Sequence, residues 1–271
     1  MDIRKSVAVA LQEDIGSGDI TASLIPENNF CKASIITREN AILCGTQWAS
    51  EAFHQVDDSL KLNWHFSDGN ELKQNDTLLT IEGSSRSILT AERTALNFLQ
   101  TLSATATRSG YYAKLTKSFG VKLLDTRKTL PGMRIAQKYA VTCGGCFNHR
   151  IGLYDAFLIK ENHISACGGI SNAINTAKTN HPDKPIEVEV ENLEQLEEAI
   201  ITGCDTVMLD NFSLEDTTLA VNLAKDKVKL EASGGIDESS LLAIAETGVD
   251  FISLGILTKS IDAIDLSLRI N

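Results

Sequence analysis

Between Val121 and His163 the chain gathers polar side chains at the edges of apolar runs. The runs VKLL and AFLIK have the length and composition of buried strands, bounded by turn-type residues and charge. Asp125, Arg127 and Lys128 follow the first run, and Lys160 ends the second. Between them lie Arg134, a helix-like IAQKYAV, a Gly144-Gly145 break, and then Asn148, His149 and Arg150. In parallel α/β folds the residues just past the carboxyl ends of strands line the ligand crevice. Several cations delivered there together point to a multiply anionic small molecule. Charge along the chain agrees. Residues 105–185 hold 12 Lys and Arg against 4 Asp and Glu, in a chain of net charge −11 whose two flanks are acidic. A solvated basic surface would give the same counts, but placement at strand ends favours a pocket.

Carboxylates form a second set. In IEVEV, Glu187, Glu189 and Glu191 share one face at period two, and Ile186, Val188 and Val190 share the other. A solvated edge strand shows the same alternation, whereas in a β/α barrel the acidic face would point inward. Asp210 ends TVMLD at the same place relative to its strand. Glu189 and Asp210 could hold ribose hydroxyls or Mg2+, which takes one or two carboxylates plus substrate oxygens. Ion pairs with the basic segment are the alternative. Ser233-Gly234-Gly235 directly follows the run KLEA, and Gly255 follows FISL. Glycine turns after the last strands of a barrel offer backbone N–H groups to a phosphate.

Other residues read more plainly. Cys143 and Cys146 form a CGGC, but no second CxxC accompanies it and the histidines are not at zinc spacing, so a turn before His149 is the simpler reading. Arg93, beside Glu92 on a helical pattern, reads as a surface pair. His149 alone would be an ordinary core or surface histidine, and only its neighbours make it a ligand contact.

The elements that must position these groups fall into two blocks. Ile3 to Leu11 has the pattern of a short amphipathic helix. CKASIITREN, LKLNWHF and TLLTIEG alternate like strands, with a helix over AILCGTQWASEAFHQV packed on the first and a tight turn at Asp68-Gly69. A small α+β domain with an antiparallel sheet fits this third. A long helix from Ile88 then leads into repeated strand-then-helix units. The strands are VKLLD, AFLIK, IEVEV, TVMLD, KLEAS and FISLG, which argues for a parallel α/β sheet. Six strands fall short of the eight of a complete barrel.

Composition excludes several classes. At 271 residues, one large or two modest domains are expected. No run approaches the ~20 apolar residues of a membrane helix, and the start meets Glu13 and Asp14 too soon for a signal peptide. The net negative charge argues against general nucleic-acid binding. Six cysteines without a secretory leader read as thiols in a reducing cytoplasm.

Taken together, EDIGSGDIT, AERTALNFLQ, DTRKTLPGMR, KYAV followed by GG, NHRIGLYDAFLIKENH, EVEV, VMLDN, EASGGI and SLGILT resemble quinolinate phosphoribosyltransferase, the carboxylating nicotinate-nucleotide pyrophosphorylase, over nearly the whole chain. The resemblance implies an N-terminal α/β sandwich domain (1–104, rejoined by 263–271) and an incomplete β/α barrel (105–262). It implies a homodimer whose active site is shared across the interface, and a reaction joining quinolinate to 5-phosphoribosyl-1-pyrophosphate. The products would be nicotinate mononucleotide, pyrophosphate and CO2, on the route to NAD. Arg127, His149, Arg150 and Lys160 would contact quinolinate, with Arg93 reaching in from the partner. Lys128, Lys160, Glu189 and Asp210 would meet the phosphoribosyl substrate and its Mg2+. Ser233, Gly234, Gly235, Ser253 and Gly255 would hold the 5-phosphate. Cys146 stands where the family commonly has a third glycine, and a positive φ there would strain a cysteine. Two rivals remain on these residues. A paralogue with another acceptor, such as the molybdate-uptake-linked type, would be expected to lack part of the cation set. A non-catalytic anion binder would have no use for Glu189 and Asp210.

Overall fold

The structure, a computed structural model, describes residues 3–270. Asn271, the last residue of the expected C-terminal return, lies outside them. Helix α1 (Ile3–Ile15) leads through a 3-10 turn into β1 (Phe30–Thr37) and the short β2 (Ala41–Ile42). Next come α2 (Thr46–Val56), β3 (Lys61–Trp64), β4 (Glu71–Leu72), β5 (Thr77–Ser84) and the long α3 (Ser85–Thr116). Alternation begins with β6 (Lys122–Leu124), α4 (Arg134–Cys143), β7 (Phe157–Ile159), α5 (Glu161–Cys167) and α6 (Ile170–Asn180). It continues through β8 (Ile186–Val190), α7 (Leu193–Thr202), β9 (Thr206–Asp210) and α8 (Leu214–Ala224). The chain ends with β10 (Lys229–Ser233), α9 (Glu238–Glu246), β11 (Phe251–Ser253), α10 (Ile256–Lys259) and β12 (Leu266–Ile270).

Two compact units result. The first takes the chain up to residue 111, residues 129–145 and the chain from 257 onward, and the second takes 112–128 and 146–256. In the first, an antiparallel sheet runs in the order β12-β1-β5-β3. Period-two alternation puts Ala33, Ile35 and Thr37 of β1 on the buried face. Against this core pack Val7 and Leu11 of α1, Trp48, Ala49, Ala52 and Phe53 of α2, and Ile88, Ala91, Ala95, Leu99 and Leu102 of α3. The spacing on α3 is that of one helical face. The turn at Asp68-Gly69 forms, with Gly69 at φ 89°. The sequence reading nevertheless missed β2 and β4, which pair with each other, because two-residue strands carry too little alternation to register.

In the second unit every strand pair is parallel, in the order β6-β11-β10-β9-β8-β7. The first strand lies beside the last, the order of a sheet curling toward closure. It stays open between β6 and β7. Only a single parallel bridge, Leu124 to Phe147, begins to fill that edge. The stretch that carries α4 is counted in the first unit, so no helix of the second unit spans that connection. This is an incomplete β/α barrel, with all six expected strands present.

Strand β5 lies between β1 and β3, and its Ile81 is wholly buried. Ile81→Ala is expected to lower the unfolding free energy by about 2–5 kcal/mol, read from urea unfolding of the intact protein. A loss below about 1 kcal/mol would mean that this face is not the core of the unit.

Candidate active site

The polar groups of the barrel sit where strand ends place them. Asp125 follows β6 and is fully buried. Its Oδ1 accepts the His149 N–H at 2.9 Å, while its own N–H donates to the Phe147 carbonyl at 3.0 Å. The Asn148-His149-Arg150 segment is thereby fastened along β6. The next turn is tied by Asp155, whose carboxylate accepts from Ile151 N–H at 2.7 Å and Gly152 N–H at 2.9 Å. Arg150 then donates from its guanidinium to the Ala156 carbonyl at 3.1 Å.

His149 reaches into the barrel. Its Nδ1 accepts the Arg150 N–H at 2.8 Å, which leaves the proton of a neutral ring on Nε2. That nitrogen lies 2.7 Å from Glu187 Oε2 and 3.6 Å from Glu231 Oε2. Glu231 is only 1% exposed. Burial pushes its carboxyl up to about 8, with the Glu187 charge adding to the effect and His149 and the Ser253 hydroxyl opposing it. Glu231 therefore holds its proton well above the usual carboxylate range. One oxygen of each, Glu187 Oε1 and Glu231 Oε1, is buried without a hydrogen-bond partner. A cavity of about 160 Å³ opens beside them, lined also by Arg150, Phe157 and Phe251.

The cations come from the connections after β6 and β7. Lys160, just past β7, donates to Glu189 Oε2 on β8. Arg150 is half-buried and its Nε has no hydrogen-bond partner. Burial lowers its pKa first, and the neighbouring charge of Arg127 lowers it further, against Glu187 and Asp155. Two guanidiniums close enough to repel favour an anion between them. The stem of Lys128 crosses Gly255, where a Cβ would meet Lys128 Cδ at 3.3 Å. Asp210 ends β9 and accepts from the Asn211 side-chain amide at 2.9 Å. Gly234 must be glycine, because its φ is 98° and a Cβ would stand 2.2 Å from Asn211 Oδ1. Gly235, at φ 56°, faces open space. Ser233 and Ser253 end β10 and β11 beside these turns.

Residues 19–103 match the family described as quinolinate phosphoribosyl transferase, N-terminal domain, and residues 104–269 match its C-terminal domain. The chain belongs to the quinolinate phosphoribosyl transferase family. A probable carboxylating nicotinate-nucleotide pyrophosphorylase of Methanocaldococcus jannaschii is 42% identical over 98% of this chain and 96% of its own. A Bacillus subtilis protein of the same description is 39% identical over 100% of this chain and 94% of its own. The solved nicotinate-nucleotide pyrophosphorylase of Francisella tularensis is 52% identical, with a TM-score of 0.95 over 99% of this chain and 96% of that one.

Within this family frame, three placements differ from the sequence reading. Cys146, buried at 4% exposure, is not among the positive-φ residues, so the strain expected of a cysteine there does not arise. The glycines of CGGC form the expected turn after α4 and also serve packing: a Cβ on Gly144 would stand 2.3 Å from the Ala106 carbonyl oxygen, and Gly145 takes φ 90°. Glu231 and Asp125 were not among the site residues picked out from the sequence. Glu231 was within reach, since it lies two residues before Ser233 and so shares its inward face. Arg93 lies exposed on α3 in the first unit, beside Glu92, whose carboxyl is pushed up by burial and drawn down by Arg93.

Glu231 has its pKa raised on folding. Its stabilising share is therefore complete below about 4.5 and is lost as pH rises through about 8. Glu231→Gln removes that loss. Urea midpoints of wild type and variant should diverge between these limits, the variant falling less steeply. Parallel curves would show that Glu231 ionises normally.

Proposed function

We propose that this protein transfers the phosphoribosyl group of 5-phosphoribosyl-1-pyrophosphate to quinolinate, releasing pyrophosphate and CO2 and leaving nicotinate mononucleotide for NAD biosynthesis. The observation that carries this reading is Arg150 beside Arg127, destabilised as a cation by burial and then by the Arg127 charge, with its Nε left unpaired in a buried position. A pyridine dicarboxylate offers such a pair two carboxylates at once, and guanidinium forks suit them geometrically.

Roles follow from placement. Arg127, Arg150, His149 and Lys160 hold the dicarboxylate. Lys128, Lys160, Glu189 and Asp210 meet the phosphoribosyl substrate, and the turns at Ser233, Gly234, Gly235, Ser253 and Gly255 take its 5-phosphate. The pyridine nitrogen is the nucleophile, so the protein's work is positioning and electrostatics. As pyrophosphate leaves, oxocarbenium charge on the ribose is favoured by Glu189 and Asp210. Asp210 and Glu189 carry hard oxygen donors on neighbouring strands, which suits Mg2+, although Lys160 already engages one oxygen of Glu189. Bound there, the ion would neutralise charge on the leaving group. Once the ring nitrogen is quaternary, the ring accepts the electron pair left when the 2-carboxylate departs as CO2. The setting is cytoplasmic, and the working form is a homodimer in which Arg93 of a second copy completes the quinolinate site.

Product analysis tests the chemistry. Purified protein with Mg2+ and the phosphoribosyl pyrophosphate should give nicotinate mononucleotide and CO2 from quinolinate and nothing from nicotinate. Turnover of nicotinate, or of neither acid, would move the protein to another acceptor.

Mixed subunits test the shared site. Arg93→Ala and Arg150→Ala should each lower kcat/KM for quinolinate by ~30-fold or more, the loss of about 2–5 kcal/mol that follows removal of one partner of a buried charge pair. Mixed together, the two variants should recover part of the activity. No recovery would rule out a site built across two copies.

A further inference from the structure

The two cysteines of the CGGC motif separate in the fold. Cys146 belongs to the barrel unit, where burial and then the Asp125 charge push its thiol up to about 12. Cys143 ends α4 in the other unit, and its neighbour there comes from far back along the chain. The sulfurs of Cys143 and Cys44 and a carboxylate oxygen of Asp68 lie within 4.8 Å of one another. Cys44 is pinned by the Ser103 hydroxyl, which accepts its N–H at 3.0 Å and donates to its carbonyl at 3.2 Å. Asp68 is pinned as well, accepting from Thr46 N–H at 3.1 Å and from the Tyr139 hydroxyl at 2.9 Å. The Tyr139 ring rests on Trp48, with centroids 5.7 Å apart.

The two thiols are unlike. Cys44 has 0% exposure, whereas Cys143 is partly open. The Cys44 thiol faces the Cys143 sulfur, and the Tyr139 hydroxyl, whose proton goes to Asp68, lies beside it too. Together they hold the Cys143 thiol below its ordinary range against the opposing effects of burial and Asp68. The same contact with Cys143, and then burial, push Cys44 up. An accessible, acidified thiol beside a buried protonated one is the arrangement of a nucleophile with its resolving partner. A soft divalent cation would instead need both sulfurs as thiolates and a carboxylate oxygen free to bind. Here Cys44 stays protonated and both Asp68 oxygens already accept hydrogen bonds.

We propose that Cys143 and Cys44 form an oxidation site for small hydroperoxides, closing to an intramolecular disulfide. The Cys143 thiolate attacks the terminal peroxide oxygen, the O–O bond breaks, and the departing alkoxide or hydroxide leaves as alcohol or water after taking a proton from solvent. Sulfur is oxidised by two electrons to the sulfenic acid. The Cys44 sulfur then attacks that sulfur, the S–O bond breaks, and the Cys44 proton leaves with the hydroxide as water. Two thiols and one hydroperoxide thus become one disulfide, one alcohol (or water) and one water. In a reducing compartment such a bond is transient.

The test uses the full-length protein, hydrogen peroxide, and peptide mapping after alkylation. In the reduced protein, limiting iodoacetamide should label Cys143 before the exposed Cys167, and Tyr139→Phe should slow that labelling near neutral pH. Peroxide should yield a linked Cys44–Cys143 peptide. Cys44→Ser should lose that link while a dimedone adduct accumulates on Cys143. Labelling of Cys143 no faster than Cys167, or a disulfide joining Cys143 to another cysteine, would overturn the proposal. So would zinc that copurifies with the protein and shields Cys143.

Discussion

A carboxylic acid deep in a barrel must either keep its proton or find a cation, and Glu231 at 1% exposure does the first. The Glu187 charge beside it helps hold that proton, and Glu187 in turn meets His149 Nε2 at 2.7 Å. The imidazole is then held with Nδ1 toward the chain, where it accepts the Arg150 N–H. From one buried proton the order passes to the ring, from the ring to the backbone at Arg150, and from there to the guanidinium. Removing any link would leave a polar group unpaired in a medium where that costs ~1–3 kcal/mol. His149 thus joins the buried carboxylates to the backbone that carries Arg150.

Arg150 carries its charge at a cost, set first by burial. Arg127 lowers the charge stability of Arg150, and no folding advantage comes from keeping two guanidiniums close. Such a cost is found where a substrate removes it. Lys160 differs, since Glu189 already balances it. In the proposed reading Arg150 and Arg127 are the anion receptors, while Lys160 and Glu189 are already paired with each other. Membership of the quinolinate phosphoribosyl transferase family fits this division of labour. A reaction in which the substrate supplies its own nucleophile needs the protein to place charges more than to donate bonds.

The first unit works by different physics. Its antiparallel sheet and the small residues of α2 and α3 bury a continuous apolar core, and its polar groups lie in turns around that core. The Cys44, Asp68, Tyr139 and Cys143 group sits where three such places meet: the start of α2, the turn at Ser67–Asn70 and the end of α4. Hydrogen bonds from Ser103 and Thr46 hold it as firmly as the barrel holds its own site.

Much of this was legible along the chain because strand and helix periods are local. All six barrel strands, the inward face of IEVEV and the glycine turns after KLEAS and FISLG could be read from alternation and punctuation alone. The cations Arg127, Lys128 and Lys160 could be picked out as side chains within four residues of the ends of apolar runs. What the sequence could not supply was pairing between distant residues. It read the CGGC around Cys143 and Cys146 as a turn, and nothing in local spacing could show that the fold brings the distant Cys44 to Cys143. It marked Glu189 and Asp210 by strand position, but the proton held by Glu231 depends on desolvation and on a second carboxylate from another strand. Local spacing decides which face a residue takes. Only the folded chain decides what stands opposite it and how much water remains, and those two quantities set its charge.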